Sequence, residues 1–471
     1  MSGVLERYRS FIPEWEAFRA AATRPEPTVV RVRRARITPE ELVGRLKRQG
    51  FELSPVEGLP GFFRAEREPA PLARTLEHWQ GLFYIQQASA GVAVPILDPL
   101  PGEQVLDLCA APGGKTSQIA EAMADRGAVI AVEENERRLQ ALVGNMSRLL
   151  HPSVMLVRGD GRRAEGRERF DRVLVDVPCS GEGRMRRGRS EGAVPSERAR
   201  AALVSRQIEL LRRGVAHVRA GGRVLYVTCT LAPEENEGVV DRILSEGGVR
   251  LVPLRPDLPH LPGLAGFEGT RYAPELEGTC RILPHHLDSG GLFMALLERV
   301  GERDPGRHWD AVPEADRESV RTGLSVLALE GSAAGRAGAD VAWTRQGDSL
   351  RFHRLSGRPA TLLERSEGWR TVATGIRGLA PGRSGHLRPT TDLLRWLEGA
   401  PGPRTLELGV EEWRSLLAGR DVRRPSASAG FAALHLEGAA LCRGRVRSGR
   451  VFHDLAPPRA RWLEGVLAQR G

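Results

Sequence analysis

Two cysteines stand in settings that can make a thiol reactive. Cys179 lies in Asp176-Val-Pro-Cys-Ser-Gly-Glu-Gly183 and Cys229 in Tyr226-Val-Thr-Cys-Thr-Leu-Ala-Pro-Glu-Glu-Asn-Glu237. Each follows a short apolar run that reads as a β-strand. A lone cysteine is usually an inert core thiol. Two at strand ends, beside a third motif, reverse that expectation. The third is Val105-Leu-Asp-Leu-Cys-Ala-Ala-Pro-Gly-Gly-Lys-Thr116, a strand running through a glycine-rich turn into a helix. A phosphate loop needs glycine where Cys109 stands, and a G-x-G-x-x-G fingerprint is absent. The pattern fits the loop that holds S-adenosylmethionine at the carboxyl end of a first strand. Glu133 ends the second strand, where a carboxylate can accept from both ribose hydroxyls. A thiolate beside a methyl donor suits one difficult reaction. Carbon 5 of cytosine is a poor nucleophile until a thiolate adds at carbon 6 and turns the ring into an enamine. A proton or hydrogen bond at N3, from Asp176, stabilises such an adduct.

The elements that must position these residues alternate. Gln104–Leu108, Ala128–Val132, Val154–Arg158, Arg172–Asp176 and Arg223–Val227 are runs rich in Val, Ile and Leu, and Leu292–Glu298 is one more. Helical segments such as Ser117–Met123 and Glu136–Leu149 lie between them. The expected fold is therefore α/β, a Rossmann-like doubly wound sheet with helices on both faces. Residues 77–300 are read as this catalytic domain and 1–76 as a small α+β domain that contacts RNA. In the latter, Thr28–Val32 and Gly61–Ala65 read as strands and Pro39–Gln49 as a helix. Residues 301–390 read as a linker and intermediate region, with a strand at Leu350–His353. Residues 391–471 read as a C-terminal, barrel-like RNA-binding region, with helices at Thr391–Leu397 and Val410–Leu417 and short strands from Phe431 to the end.

The chain has 471 residues and a net charge of +10, which suits a polyanionic partner. Nearly all of the basic residues are arginine. Only Lys47 and Lys115 are lysine, so a lysine inside a motif stands out. Residues 301–471 carry 27 arginines against 20 acids. No run is long and apolar enough to span a bilayer and no signal peptide is evident, so a cytoplasmic protein is expected. The five cysteines, Cys109, Cys179, Cys229, Cys280 and Cys442, are an odd number in a chain expected to be cytoplasmic, which argues against a disulfide framework, and they include no C-x-x-C pair, which argues against structural zinc. His285 and His286, with neither a third ligand nor a suitably spaced carboxylate partner nearby, are taken as structural or RNA-contacting and no metal is expected.

With these motifs the chain resembles the Nop/Sun family of RNA cytosine-5 methyltransferases from about Trp15 to Arg299. The resemblance also takes in Gly81-Leu-Phe-Tyr-Ile-Gln86, Gln207–Leu211, Gly221–Thr230 and Arg281-Ile-Leu-Pro-His285. It implies Cys229 as the nucleophile and Cys179 as the group that assists release, with Asp176 and Lys115 completing the catalytic set. DNA cytosine-5 enzymes attack from the Pro-Cys motif, which would make Cys179 the nucleophile; the second motif, Thr228-Cys229-Thr230, argues for the RNA pattern. The implied S-adenosylmethionine contacts are Cys109, Ala110, Ala111, Pro112, Gly113, Gly114, Lys115, Glu133, Arg138, Asp160 and Asp176. The chain departs from the family at Thr230, commonly serine, in Arg184–Val194, which lacks a proline and a tryptophan, and at Gly290-Gly-Leu-Phe293, commonly Asp-Gly-Phe-Phe. Leu387-Arg-Pro389, Gly419-Arg-Asp-Val422 and Gly430–Phe452 resemble the bacterial small-subunit rRNA methyltransferase F subgroup. That points to 16S rRNA or the small subunit as partner and to a monomer; tRNA as substrate, or an idle rRNA-binding assembly factor, are the alternatives.

Overall fold

Five of the apolar runs become parallel strands of one sheet in the computed structural model. Residues 5–163, 170–187, 195–301, 319, 320, 322, 341–355, 368–382, 385–397 and 405–468 are described. The strands are β1 (Gln104–Asp107), β2 (Ala128–Glu133), β3 (Val154–Arg158), β4 (Phe170–Asp176) and β5 (Val218–Thr228). They lie side by side in the order β3-β2-β1-β4-β5. β6 (Leu292–Arg299) runs antiparallel to β5, with Cys280–Ile282 and Leu261–Pro262 beyond it. At the opposite edge, β7 (Arg370–Thr374) runs antiparallel to β3. Apolar cores pack on both faces, so every residue of β1 and β2 is buried. Burial on both sides is why these strands read as continuous apolar runs rather than alternating ones. The chain leaves β1 towards β2 on one side and has β4 on the other. The loops at the carboxyl ends of β1 and β4 therefore diverge and open a crevice.

Helices α1 (Gly114–Ala122), α2 (Glu136–Leu149), α3 (Glu197–His217) and α4 (Glu237–Glu246) cover the sheet. The Asn135 side chain caps α2 by accepting from the Arg138 N–H at 3.0 Å. Ser196 caps α3 in the same way. The helix expected at Ser117–Met123 begins three residues earlier, at the glycine turn itself.

The N-terminal residues form a four-stranded antiparallel sheet, in the order Glu52–Pro55, Phe62–Arg67, Val29–Val32 and Phe83–Ile85. Buried arginines tie it to the rest. Arg31 donates to Ser117 Oγ at 2.7 Å and Arg33 to the Leu150 carbonyl at 3.2 Å. Arg148 donates to the His78 and Phe83 carbonyls, and Arg395, from the C-terminal half, donates to the Arg148 carbonyl at 2.8 Å.

The C-terminal half carries two further sheets. Ala342–Gln346, Ser349–His353, Ile376–Pro381 and Leu387–Pro389 make one. Thr405–Glu407, Gly430–Leu436, Ala439–Arg447 and Arg450–His453 make the other. Among the described residues each is an open four-stranded sheet. The expectation of strands from Phe431 to the end fails in its last part, because Pro457–Ala468 is a helix. Two prolines open it, where the first turn needs no N–H donors. Leu463, Val466 and Leu467 are buried, and Trp462 stacks on Trp79 at 4.6 Å. Among the described residues no helix is long and apolar enough to cross a membrane.

Candidate active site

The site collects at the carboxyl ends of β1, β2, β4 and β5. Cys109 to Lys115 form the turn from β1 into α1, with a cis bond between Ala111 and Pro112. Gly113 has φ +104°, and a Cβ there would come within 2.8 Å of Leu142 and Met146. Only glycine both adopts that backbone and fits that space. Arg138, in the first turn of α2, donates to the Ala111 carbonyl at 2.8 Å and Asn145 to the Pro112 carbonyl at 2.9 Å, which hold the turn against α2.

A narrow pocket opens beside the turn, lined by Cys109, Glu133, Arg138, Asp160, Pro178 and Leu210 among others. The turn and this pocket suit a nucleoside-bearing amino acid in two respects. Glu133 is buried at the end of β2. Its Oε1 accepts from the Asn135 N–H at 2.9 Å, while Oε2 has no hydrogen bond and lies 3.5 Å from the Arg138 guanidinium. Asp107, at the end of β1, is also buried. Its Oδ2 accepts from Thr116 at 2.7 Å while Oδ1 has no hydrogen bond. A buried acceptor left without a hydrogen bond is costly, and a bound ligand can supply the missing donor. Burial also pushes the Asp107 carboxyl up to about 7, with the Thr116 hydroxyl opposing the shift. The sequence motifs give Asp107 no role of its own, and its place at the carboxyl end of a strand is the signal that marks it. Asp160, after β3, is gripped by Arg162, which holds its carboxyl below the usual range against a partial burial penalty.

Asp176 ends β4, and its Oδ2 accepts from Lys115 Nζ at 2.7 Å. Burial works against the Lys115 charge, but the charge and hydrogen bond of Asp176 more than offset it, and the ammonium is raised. Three residues on, Cys179 Sγ lies 3.2 Å from Cys229 Sγ, although the two are 50 positions apart. A polar lattice sets this approach. Glu235, fully buried after the Cys229 loop, accepts from the Ser180 N–H at 2.9 Å, from Gln207 at 2.9 Å and from Arg200 at 3.2 Å. The Thr230 and Ser180 hydroxyls meet at 2.7 Å, and the Gly183 N–H donates to the Cys229 carbonyl at 2.9 Å. Threonine at position 230 thus keeps the hydroxyl contact that a serine there would make.

The two thiols differ in their electrostatics. The Cys179 S–H stabilises the Cys229 thiolate, and Arg184 and Lys115 add positive charge, so the Cys229 thiol is held low despite burial and Asp176. The same contact, with burial, drives the Cys179 thiol well up. Cys109 is raised by burial and neighbouring carboxylates, and Cys280 and Cys442 are pushed up to about 12 by burial. Of the five cysteines only Cys229 shifts towards the thiolate. All five are free thiols.

Other motif residues turn out to be supports. Arg281 is buried and pairs with buried Glu237, donating through Nε at 2.7 Å and also to the Leu231 carbonyl at 3.0 Å. Gly290 gives its N–H to Glu26 at 2.9 Å, and a Cβ there would come within 2.7 Å of Gln87. Residues 188–194 of the departing stretch Arg184–Val194 lie outside the described residues. The reading of His285 and His286 needs one correction, since the fold brings Glu14 to 3.6 Å from His285 Nε2. His286 Nδ1, however, accepts from the Leu283 N–H at 3.2 Å, a bond that competes with its use as a ligand.

The family model described as 16S rRNA methyltransferase RsmB/F matches residues 94–298. The chain is 35% identical over 314 residues to ribosomal RNA small subunit methyltransferase F of Klebsiella pneumoniae, covering 64% of each protein. It is 33% identical over 294 residues to the 28S rRNA (cytosine-C(5))-methyltransferase of Mus musculus, covering 60% of this chain and 36% of that one. The chain thus aligns with less than two-thirds of the length of these two relatives. A solved structure of a methyltransferase homologue from Pyrococcus horikoshii is 33% identical, with a TM-score of 0.56, covering 63% of this chain and 94% of that one.

Proposed function

The chain belongs to the 16S rRNA methyltransferase RsmB/F family, and from that premise we propose that it methylates carbon 5 of a cytosine in 16S rRNA. The donor is S-adenosylmethionine, which supplies an electrophilic methyl group when bound. The observation that carries the reading is the pair of thiols 3.2 Å apart at the crevice, where the positive charge of Arg184 and Lys115 favours the thiolate at Cys229.

In this reading a cytosine flips out of the RNA into the crevice. The Cys229 thiolate adds to carbon 6 and the electron pair moves to carbon 5. N3 takes a proton or hydrogen bond from the Lys115–Asp176 pair, which stabilises the adduct. Carbon 5 then bonds to the donor's methyl carbon and the carbon–sulfur bond of the sulfonium breaks. The carbon 5 proton leaves to a base, and the Cys229–carbon 6 bond breaks with the help of Cys179. When bound, the donor would be admitted by the glycine turn, with Glu133 placed to accept from its ribose hydroxyls and Asp107 to pair with its ammonium group.

Residues 1–76 and a PUA-like region at 391–471 are read as the wider RNA-binding surface of a monomeric, cytoplasmic protein. One face supports this at the C-terminal end. Arg445 is cross-strand to Phe431 on one side and to Phe452 on the other, and Arg388, Arg443 and Arg445 lie 5.3–5.5 Å from the Phe431 ring. Phe452 is 46% exposed. Rings interleaved with guanidinium groups suit unpaired bases and phosphates. The test incubates the purified enzyme with small subunits, naked 16S rRNA and bulk tRNA, followed by bisulfite sequencing. Methylation of 16S rRNA in either form is expected; efficient methylation of tRNA alone would overturn the rRNA assignment and leave the cytosine-5 chemistry standing.

A further inference from the structure

The central sheet does not stop at β3. β7 pairs with it, matching Arg370 to Arg158, Thr371 to Val157, Ala373 to Leu156 and Thr374 to Met155. β7 comes from beyond residues 94–298, the stretch the family model matches. The residue just before it, Trp369, is 9% exposed. Its indole N–H donates to the Asp160 carbonyl at 2.9 Å. The ring lies so close to Gly159 that a Cβ there would come within 2.4 Å of the indole Cδ1. On another side it stacks on His217, the last residue of α3, at 5.9 Å. Gly159 and Asp160 line the pocket that also holds Cys109, Glu133 and Arg138. One wall of that pocket is therefore backed by a side chain delivered by the C-terminal half.

We propose that Trp369 is a positioning residue for the cofactor: it fixes the Gly159–Asp160 turn and makes cofactor affinity depend on the C-terminal half of the chain. This rests on the reading of the pocket as the S-adenosylmethionine site. The physical reason lies in the turn itself. Glycine at 159 leaves the backbone free to adopt many conformations, and that freedom must be lost before the turn can act as a wall. The indole removes it in advance, by filling the space behind Gly159 and by holding the Asp160 carbonyl. A pre-formed wall spares the ligand that ordering step and so tightens binding.

The experiment uses the full chain as wild type, Trp369→Phe and Trp369→Ala. Calorimetric titration with S-adenosylmethionine and steady-state kinetics on 16S rRNA are run side by side. Trp369→Ala is expected to raise the cofactor Kd and KM about tenfold, with kcat and the RNA KM within about twofold. Trp369→Phe, which keeps a ring against Gly159 and loses the donor, should fall between the two. A residue that only stabilises the fold would lower Tm and the active fraction and leave the cofactor KM unchanged. An unchanged cofactor KM in Trp369→Ala overturns the proposal. If that variant does not fold, Trp369→Phe decides, and an unchanged KM there has the same force. Failure of the wild type to bind S-adenosylmethionine is a separate result: it removes the cofactor reading of the pocket, and the proposal with it.

Discussion

Replacing Cys179 by alanine should do two opposite things to the covalent step. Either thiol could donate across the 3.2 Å contact, and the positive charge of Arg184 and Lys115 beside Cys229 favours Cys179 as the donor to a Cys229 thiolate. Hydrogen bonds to a charged partner contribute about 1.5–3 kcal/mol. Losing that much from the thiolate alone lowers its population at fixed pH by roughly tenfold to a hundredfold. Attack on cytosine should slow by a similar factor below neutral pH, and its pH profile should move to the alkaline side. Release should fail at the same time, because the group beside the Cys229–carbon 6 bond is gone. An adduct formed slowly but not resolved still accumulates. Cys179→Ala should therefore show a protein–RNA band on denaturing gels that grows over a long incubation and grows faster at higher pH. Cys229→Ala should show neither the band nor methyl transfer. The reverse pattern, with RNA trapped by Cys229→Ala and not by Cys179→Ala, would refute the assignment of roles. An adduct formed by Cys179→Ala with the wild-type pH profile would refute the electrostatic part alone.

Three further outcomes follow from the structure. Asp107 is raised to about 7, so its carboxyl becomes ionised only as the pH rises through neutrality; if it faces the cofactor's ammonium, affinity measured by calorimetry should fall as the pH drops from about 8 to about 6. Asp107→Asn should weaken binding and flatten that dependence, and a flat wild-type profile would remove the ammonium contact. Arg281→Met strands the buried Glu237 carboxylate and should cost about 3–5 kcal/mol, seen as a lower unfolding temperature, whereas pairing it with Glu237→Leu should recover much of the loss; equal Tm for single and double variants would contradict this. Phe452→Ala with Arg445→Ala should weaken RNA binding and flatten its salt dependence without changing S-adenosylmethionine binding. These surface changes are cleaner than truncation after Val422, which would strip the buried core shared by Trp413, Leu434 and Leu441; unchanged RNA affinity would exclude this face.

Much of the catalytic half was legible from local chemistry. Strands buried on both faces must be apolar throughout, and a backbone at φ +104° against α2 demands glycine, so β1 to β5 and the turn at Gly113 leave their marks in short windows of sequence. The two cysteines announce themselves through their neighbours in the same way. The division of labour proposed for them does not. It depends on a 3.2 Å approach across 50 residues, set by the adjacency of β4 and β5 and by the buried Glu235 lattice. The carboxylate beside His285 is likewise invisible locally, because Glu14 arrives from the N-terminal segment, far away in sequence. The closing segment reads as strand in sequence and folds as a helix, Pro457–Ala468, whose two opening prolines sit in a first turn that needs no N–H donors. Edge pairing by β7 was out of reach for a further reason. A strand at a sheet edge is chosen by which backbone groups of β3 remain unpaired, and Trp369 matters only because Gly159 has no side chain to fill the space it occupies. Local sequence limits what each segment can become; only the folded chain decides which distant groups share a site.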